Sequence, residues 1–309
     1  MLSTVPFEIP RYLAEMAKDL PSLPMAVAGA DNRVALESAK MVAESGLVAP
    51  ILVGDPAEIR AIAQDIGWDL AGIRIVAADS EDAASEKAVA LARGGEAALL
   101  MKGHVHTDSL MRAVINRDTG LRTGRRTSHV FHMTIPRSDK VLYITDAAIN
   151  VAPDVGVKMD ILQNAIDMVH ALGLKQPHVA VLSGAEVVNT SMPSSVEADE
   201  LVKRAAGSGI TGAIIDGPLA FDNAVSLEAA QIKGIDSPVA GKADILLVPN
   251  LESGNFLFKQ MVYFMSATAA GVVMGAKVPI VLTSRADPPE ARFASAAVAV
   301  LVAAANENA

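Results

Sequence analysis

Pro50-Ile51-Leu52-Val53-Gly54-Asp55-Pro56 reads as a complete strand-to-helix joint. An apolar run meets a turn, Asp55 stands where a helix N-cap belongs, and Pro56 takes the first helical position. Further apolar runs, each followed by a turn and a helical pattern, lie at Met25–Ala28, Ile73–Ala77, Ala98–Met101, Val141–Thr145, Val179–Leu182, Ala213–Ile215, Ile245–Val248 and Ile280–Leu282. This alternation predicts βαβ units and an α/β fold with mostly parallel sheets. Val130–Ile135 alternates apolar residues with His132 and Thr134 and reads as a half-exposed edge strand. Phe256–Val278 is largely apolar and close to the ~20 residues of a bilayer span. Lys259 and Gln260 near its start, with Gly271 and Gly275 later, make it read as a buried helix.

The chain has 309 residues, enough for two domains, and 51% hydrophobic residues supply an ample core. Only 4% are aromatic, so Ala, Val, Ile and Leu fill the interior, as in parallel sheets covered on both faces. With no Gly/Pro/Ser linker in view, a boundary must be crossed by ordered chain, near Pro136–Lys140 with a return near Ala276–Pro279. The expected first domain is 1–138 plus 278–309, ending in an Ala-rich helix, Ala291–Ala305; the second is 139–277. The absence of Cys excludes a disulfide, a thiolate-held metal and an acyl-cysteine intermediate made by this chain. Met1–Leu20 carries Glu8, Arg11, Glu15, Lys18 and Asp19 at helical spacing rather than a basic start and an apolar block, and reads as a cytoplasmic, mature start.

A formal charge of −9 argues against extended nucleic-acid binding. Within it, residues 101–130 form an island of opposite sign. Lys102, Arg112, Arg117, Arg122, Arg125 and Arg126 stand against Asp108 and Asp118, a local net charge of +4. Ile280–Leu282 delivers Thr283-Ser284-Arg285 to another strand end, where α/β folds place their ligands. Together these features predict a pocket for a small, heavily anionic molecule. Asp146, Asp216 and Asp222 read as residues that hold strand-end loops through backbone N–H groups, and Asn255 as a cap of the long helix with Lys259 one turn later facing a cleft. His104 and His106 could bind a metal with His129 or His132, but no carboxylate cluster has ligand spacing, and no metal site is expected. Gly29-Ala-Asp-Asn32 lacks the further glycines of a dinucleotide fingerprint, and no P-loop occurs.

The residues themselves carry a resemblance. Met101-Lys-Gly-His-Val-His-Thr107, Arg125-Arg-Thr-Ser-His-Val-Phe131, Ile144-Thr-Asp-Ala-Ala-Ile-Asn150 and Asp216-Gly-Pro-Leu-Ala-Phe-Asp-Asn-Ala224 are four of its segments. Ser237-Pro-Val-Ala-Gly-Lys-Ala-Asp244, Gly254-Asn255 with Lys259, and Pro279-Ile-Val-Leu-Thr-Ser-Arg-Ala-Asp287 complete it in order. Over about residues 98 to 300 the chain resembles the phosphate acetyl/butyryl transferases. The resemblance implies the reaction acyl-CoA + phosphate ⇌ acyl phosphate + CoA, with acetyl-CoA first and butyryl-CoA next. It also implies a two-domain α/β/α subunit like the isocitrate and isopropylmalate dehydrogenases, an interdomain cleft, a homodimer formed through the second domain, and coenzyme A as substrate with no cofactor.

That chemistry passes through a tetrahedral oxyanion. It needs a bidentate cation for phosphate, a donor for the oxyanion and alignment of two substrates. The expected catalytic residues are Arg285, whose planar fork suits two phosphate oxygens, Ser284 for the oxyanion or the thiol, and Asp287. Ser128, Arg126, Lys102, Thr107, Asn255 and Lys259 are the expected substrate-binding residues. The acetyltransferase branch places an aspartate seven residues after the serine; that position here is Ala291, with Asp287 and Glu290 as the nearby carboxylates. The Thr-Ser-Arg-Ala-Asp wording is more similar to the butyryl branch. Two other readings stay open: a metal- and NAD-dependent hydroxy-acid dehydrogenase of similar fold, and a non-catalytic acyl-CoA binding module.

Overall fold

A computed structural model of the chain describes residues 2–207, 210–284 and 287–307. Its strands, in chain order, are β1 (Leu23–Ala28), β2 (Val48–Gly54), β3 (Arg74–Ala77), β4 (Leu99–Lys102), β5 (Ser128–Thr134), β6 (Val141–Thr145), β7 (His178–Leu182), β8 (Ile214–Leu219), β9 (Ile245–Leu247), β10 (Thr268–Met274) and β11 (Ile280–Val281). The helices are α1 (Arg11–Ala17), α2 (Arg33–Glu44), α3 (Pro56–Asp65), α4 (Glu81–Arg93), α5 (Thr107–Ile115), α6 (Val155–Ala171), α7 (Pro193–Gly207), α8 (Phe221–Val225), α9 (Leu227–Ile232), α10 (Leu251–Met265) and α11 (Pro289–Glu307). Contacts divide the chain into two compact units. A terminal unit holds Glu8–Arg125 and the chain from Ala270 onward; a middle unit holds Arg126–Ala269 and the first residues up to Phe7.

In the terminal unit the strands run β3-β2-β1-β4-β11-β10. All neighbours are parallel except β10 and β11, which pair antiparallel. The joint at residues 50–56 forms as the residues dictate: the Asp55 carboxylate accepts from the N–H groups of Ala57 and Glu58, and Pro56 opens α3. Helices α3, α2, α11 and α1 contact one another in series, while α4 packs on α5 and on β1 and β2. Gly103, just past β4, donates to Ala28 O at 2.9 Å, and a Cβ there would sit 2.4 Å from Gly29 O. Only glycine permits that approach.

In the middle unit the order is β5-β6-β9-β7-β8, antiparallel between β5 and β6 and parallel elsewhere. Phe131, Met133, Ile144, Leu246, Leu219 and Met261 belong to one buried cluster between sheet and helices. The segment Pro136–Lys140, expected to lead into a second domain, is the connection of the β5–β6 hairpin, whose ladder keeps both strands in one unit. The chain passes between units at Phe7, Arg125 and Ala269.

Three expectations about elements need correction. Strand β5 is not a half-exposed edge: it is buried from Ser128 to Met133, with His129 and His132 fully enclosed. The apolar stretch from Phe256 is not one helix. α10 stops at Met265, its C-cap Ser266 adopts a left-handed φ of 51° and donates to Val5 O at 2.6 Å, and the chain then forms the wholly buried strand β10. Thr268, Val272 and Val273 are β-branched and favour that strand, but an all-apolar run has no period to reveal the change. Strand β8 runs on through Asp216-Gly-Pro-Leu219 instead of turning at Ile215, with a register shift against β7. Pro218 is tolerated because β8 ends the strand order.

Enclosure of His132 disfavours its charged form, pushing its pKa down to about 4. The unfolded chain, with an ordinary histidine pKa, therefore binds this proton more readily. Stability is retained above the unfolded value and falls as pH drops toward 4. Urea unfolding at pH 5 should show about 2 kcal/mol less stability from this residue than at pH 7, and His132→Gln should flatten that slope. Equal pH slopes for the two proteins would show that His132 is not the proton acceptor.

Candidate active site

Because β4 and β11 pair in parallel, with Leu100 opposite Ile280 and Met101 opposite Val281, their carboxyl ends lie side by side. Lys102, the last residue of β4, lines one cavity of ≈ 190 Å³ with Gly103 and His104 after it, Thr283 and Ser284 beyond β11, and the N-terminal part of α2. Lys102 is 7% exposed, whereas Ser284 is exposed. The N-terminus of α2 is fixed by Asn32, whose side-chain oxygen accepts from Val34 N at 3.0 Å. The Ser284 loop is closed by a reciprocal pair: Ser284 N donates to the Asp287 carboxylate at 2.6 Å, and Asp287 N donates to Ser284 O at 3.2 Å. From α11, Arg292 donates to the Asp287 carbonyl and, at 3.1 Å, to Ser38 Oγ on α2. Arg285, the expected phosphate ligand, lies outside the described residues.

The middle unit holds its own polar network. Ser128 Oγ is buried and accepts from Asn164 Nδ2 at 2.9 Å; the same Nδ2 donates to Arg126 O at 2.8 Å. Arg126 is exposed, its N–H held by Asp160 at 2.9 Å and its Nε donating to Asn150 Oδ1 at 3.1 Å. Asn150 is held in turn by Asp146, which is 2% exposed and accepts from the N–H groups of Ala148, Ile149 and Asn150. Asp146 thus holds a strand-end loop as its position predicts. Asp216 accepts from Gly217 N, and Asp222 pairs with Lys233, which holds its carboxyl below the ordinary range.

The remaining sequence candidates divide. Thr107 is the first residue of α5, and Lys259 is an exposed residue of α10 with its ammonium 5.9 Å from the Phe258 ring. Asn255 does not cap α10: Asn250 does, accepting from Ser253 N, while Asn255 lies one turn in and donates to Ala147 O. Gly254 lets that helix approach the Ala147 loop, since a Cβ there would sit 2.7 Å from Ala147 Cβ. His106 Nδ1 lies 2.6 Å from a Glu81 oxygen that also accepts the His106 N–H, and these bonds hold the Glu81 carboxyl below its ordinary range. Among the described residues no group of three or more His, Asp or Glu could hold a metal ion. A second cavity of ≈ 370 Å³ shares His104 with the first and is lined by Asp31, Asp55, Glu58, Asp79 and Glu81.

Residues 82–300 match the family model described as phosphate acetyl/butaryl transferase. The chain belongs to this family. It is 51% identical to a phosphate acetyltransferase of Rhizobium meliloti over 299 residues, covering 97% of this chain and 94% of the relative. It is 42% identical to a phosphate butyryltransferase of Clostridium beijerinckii over 295 residues, covering 96% and 98%. The crystal structure of a branched-chain phosphotransacylase from Enterococcus faecalis superimposes with a TM-score of 0.78 at 32% identity, covering 91% of this chain and 99% of the other.

Several residues that shape these sites were not singled out by sequence. Arg292 sits on an Ala-rich helix whose pattern reads as core, and only its spacing after Ser284 hints at the site. Asn164 and Asp160 lie within α6 and carry no motif of their own. The position that the acetyltransferase branch of the family fills with aspartate, Ala291, is 1% exposed in the first turn of α11.

If Asp287 folds the loop through its carboxylate, Asp287→Ala should speed hydrogen exchange of the Ser284 amide by roughly tenfold or more, while Asp287→Asn keeps an acceptor oxygen and most of the protection. Equal exchange in both variants and the parent would show that the loop is held by other contacts.

Proposed function

We propose that this chain is a phosphate acyltransferase, interconverting acyl-CoA and phosphate with acyl phosphate and CoA by direct transfer, with acetyl-CoA the preferred thioester and butyryl-CoA the next. The carrying observation is that Lys102 and Ser284, far apart in sequence, line one cavity beside a helix N-terminus. A phosphate oxygen attacks the thioester carbon, the carbon–sulfur bond breaks, and sulfur leaves as a thiolate that takes up a proton. In the reverse direction the thiolate attacks the acyl phosphate and phosphate departs. Both directions pass through one tetrahedral oxyanion, so donors fixed in advance serve each.

In this reading Ser284 Oγ donates to the oxyanion or the sulfur, and Lys102 and the α2 N-terminus favour the phosphate's negative charge. Arg285 grips two phosphate oxygens. Asp287 acts by shaping the loop, a role supported by its bond from Ser284 N. Arg126, Ser128, Thr107, Asn255 and Lys259 are the remaining substrate contacts proposed. Family membership favours this reading over a nicotinamide-dependent dehydrogenase. The preference for acetyl is supported by the 51% identity to an acetyltransferase, against 42% to a butyryltransferase. The chain acts in the cytoplasm, where CoA thioesters and acyl phosphates turn over.

We place it there as a homodimer formed through the middle unit. Support comes from α10, which exposes Phe256 at 65% and Phe264 at 62% two turns apart on one face. The pair Phe256→Glu with Phe264→Glu should convert a dimer into a monomer in light scattering. A parent protein that is monomeric at micromolar concentration would refute this assembly.

Steady-state thiol release with acetyl-CoA against butyryl-CoA at varied phosphate tests the activity. Arg285→Gln is expected to lower kcat/KM by at least about tenfold, whereas Asp287→Asn should stay within about threefold, since it keeps a loop acceptor. Absence of phosphate-dependent release from acetyl-, propionyl- and butyryl-CoA between about pH 6.5 and 9, a range that brackets thiol ionisation, would end the proposal.

A further inference from the structure

The half-buried Arg292 lines the Ser284 cavity, yet among the described residues its hydrogen bonds go to uncharged oxygens, the Asp287 carbonyl and Ser38 Oγ. The Ser38 hydroxyl donates its own hydrogen to Val34 O at 2.6 Å, so it can only accept from the guanidinium. These two contacts occupy only part of a five-donor fork. A cation withdrawn from water onto neutral acceptors is costly to hold. Here it stands in the same cavity as the buried Lys102, so the like charges add to that cost. No Asp or Glu is among the described residues lining this cavity. Such an arrangement is relieved by an anion between the two cations.

The cavity's size limits which anion. At ≈ 190 Å³ it falls below the ~300–1,000 Å³ of pockets that enclose drug-sized ligands, so it takes a small polyoxyanion rather than a whole adenylated thioester. We propose that Arg292 is a phosphate ligand of this cavity, reaching the anion from α11 while its remaining N–H groups tie the Ser284 loop to α2. The identity of the anion rests on the phosphate acyltransferase reading; the existence of the anion site does not. Arg292 thereby couples two events, since the guanidinium that meets the phosphate also holds the carbonyl three residues after Ser284. It acts on one substrate and not on the other.

Two readouts test this, at constant ionic strength with chloride as the balancing ion. Inorganic phosphate should raise the melting temperature of the parent protein, since a ligand that binds only the folded state stabilises it. Arg292→Gln should lose that rise, and Arg292→Lys, which keeps the charge but cannot span both acceptors, should keep part of it. In kinetics, Arg292→Gln should raise the KM for phosphate by about tenfold or more while moving the KM for acyl-CoA by less than about twofold. A rise in both KM values together, or a phosphate-induced melting shift in the Gln variant equal to the parent's, would overturn the proposal. If the Gln variant does not fold, a folded Lys variant without any phosphate-induced shift overturns it equally. A parent protein with no transferase activity but an Arg292-dependent phosphate shift would defeat the functional reading and leave this inference standing.

Discussion

The pairing of β4 with β11 is the constraint on which the site depends. Strand β11 has only two residues, both buried, held in parallel against β4 on one side and antiparallel against β10 on the other. Leu99, Leu100 and Met101 are essentially enclosed, each worth roughly 1.5–3 kcal/mol of burial. In the observed register Leu100 stands opposite Ile280 and Met101 opposite Val281. Once Leu100 faces Ile280, Lys102 and the loop that carries Ser284 emerge at one rim, and the bonds of Asp287 and Arg292 shape that loop. A short strand buried on both sides thus brings a cation and a hydroxyl from distant parts of the chain to one cavity.

Electrostatics then separates two neighbouring cavities that share His104. One carries Lys102, Arg292 and the α2 N-terminus; the other is walled by Asp31, Asp55, Glu58, Asp79 and Glu81. In a chain of formal charge −9, a cavity that gathers cations at a low-dielectric rim is a favourable place for an anion. The acidic wall sharpens this contrast by closing the adjacent space to the same ligand. The two cavities thus differ by where negative charge is absent as much as by where positive charge is present.

Much of this was legible in the residues, for reasons that particular elements make clear. The βα joint at 50–56 carries a cap and a proline that specify each other, so Asp55 and Pro56 behave as read. Strand ends were legible because apolar runs break at polar turns, and Lys102 does end β4 while Ser284 follows β11. Where apolar residues continue across a change of element, the signal vanishes: Ser266 ends α10 through a bond to Val5, a partner more than 250 residues away that no local pattern announces. The alternation that made β5 look exposed was misleading because a buried imidazole at His132 takes a position that a solvent-facing residue normally holds. Arg292 escaped notice because its meaning lies in contacts across α2 and the loop, not in its own helix.

The alanine at position 291 is understandable on the same physical grounds. At 1% exposure it packs in the first turn of α11, where an ionised carboxylate would be withdrawn from water. Losing a base there costs little. A thiol with a pKa near ~8.5 is already about one-tenth thiolate at pH 7.5, so full deprotonation gains only about 1.4 kcal/mol. Aligning two reactants contributes as much as ~7–11 kcal/mol. Under the proposed reaction, alignment of the two substrates therefore contributes more than a base would add.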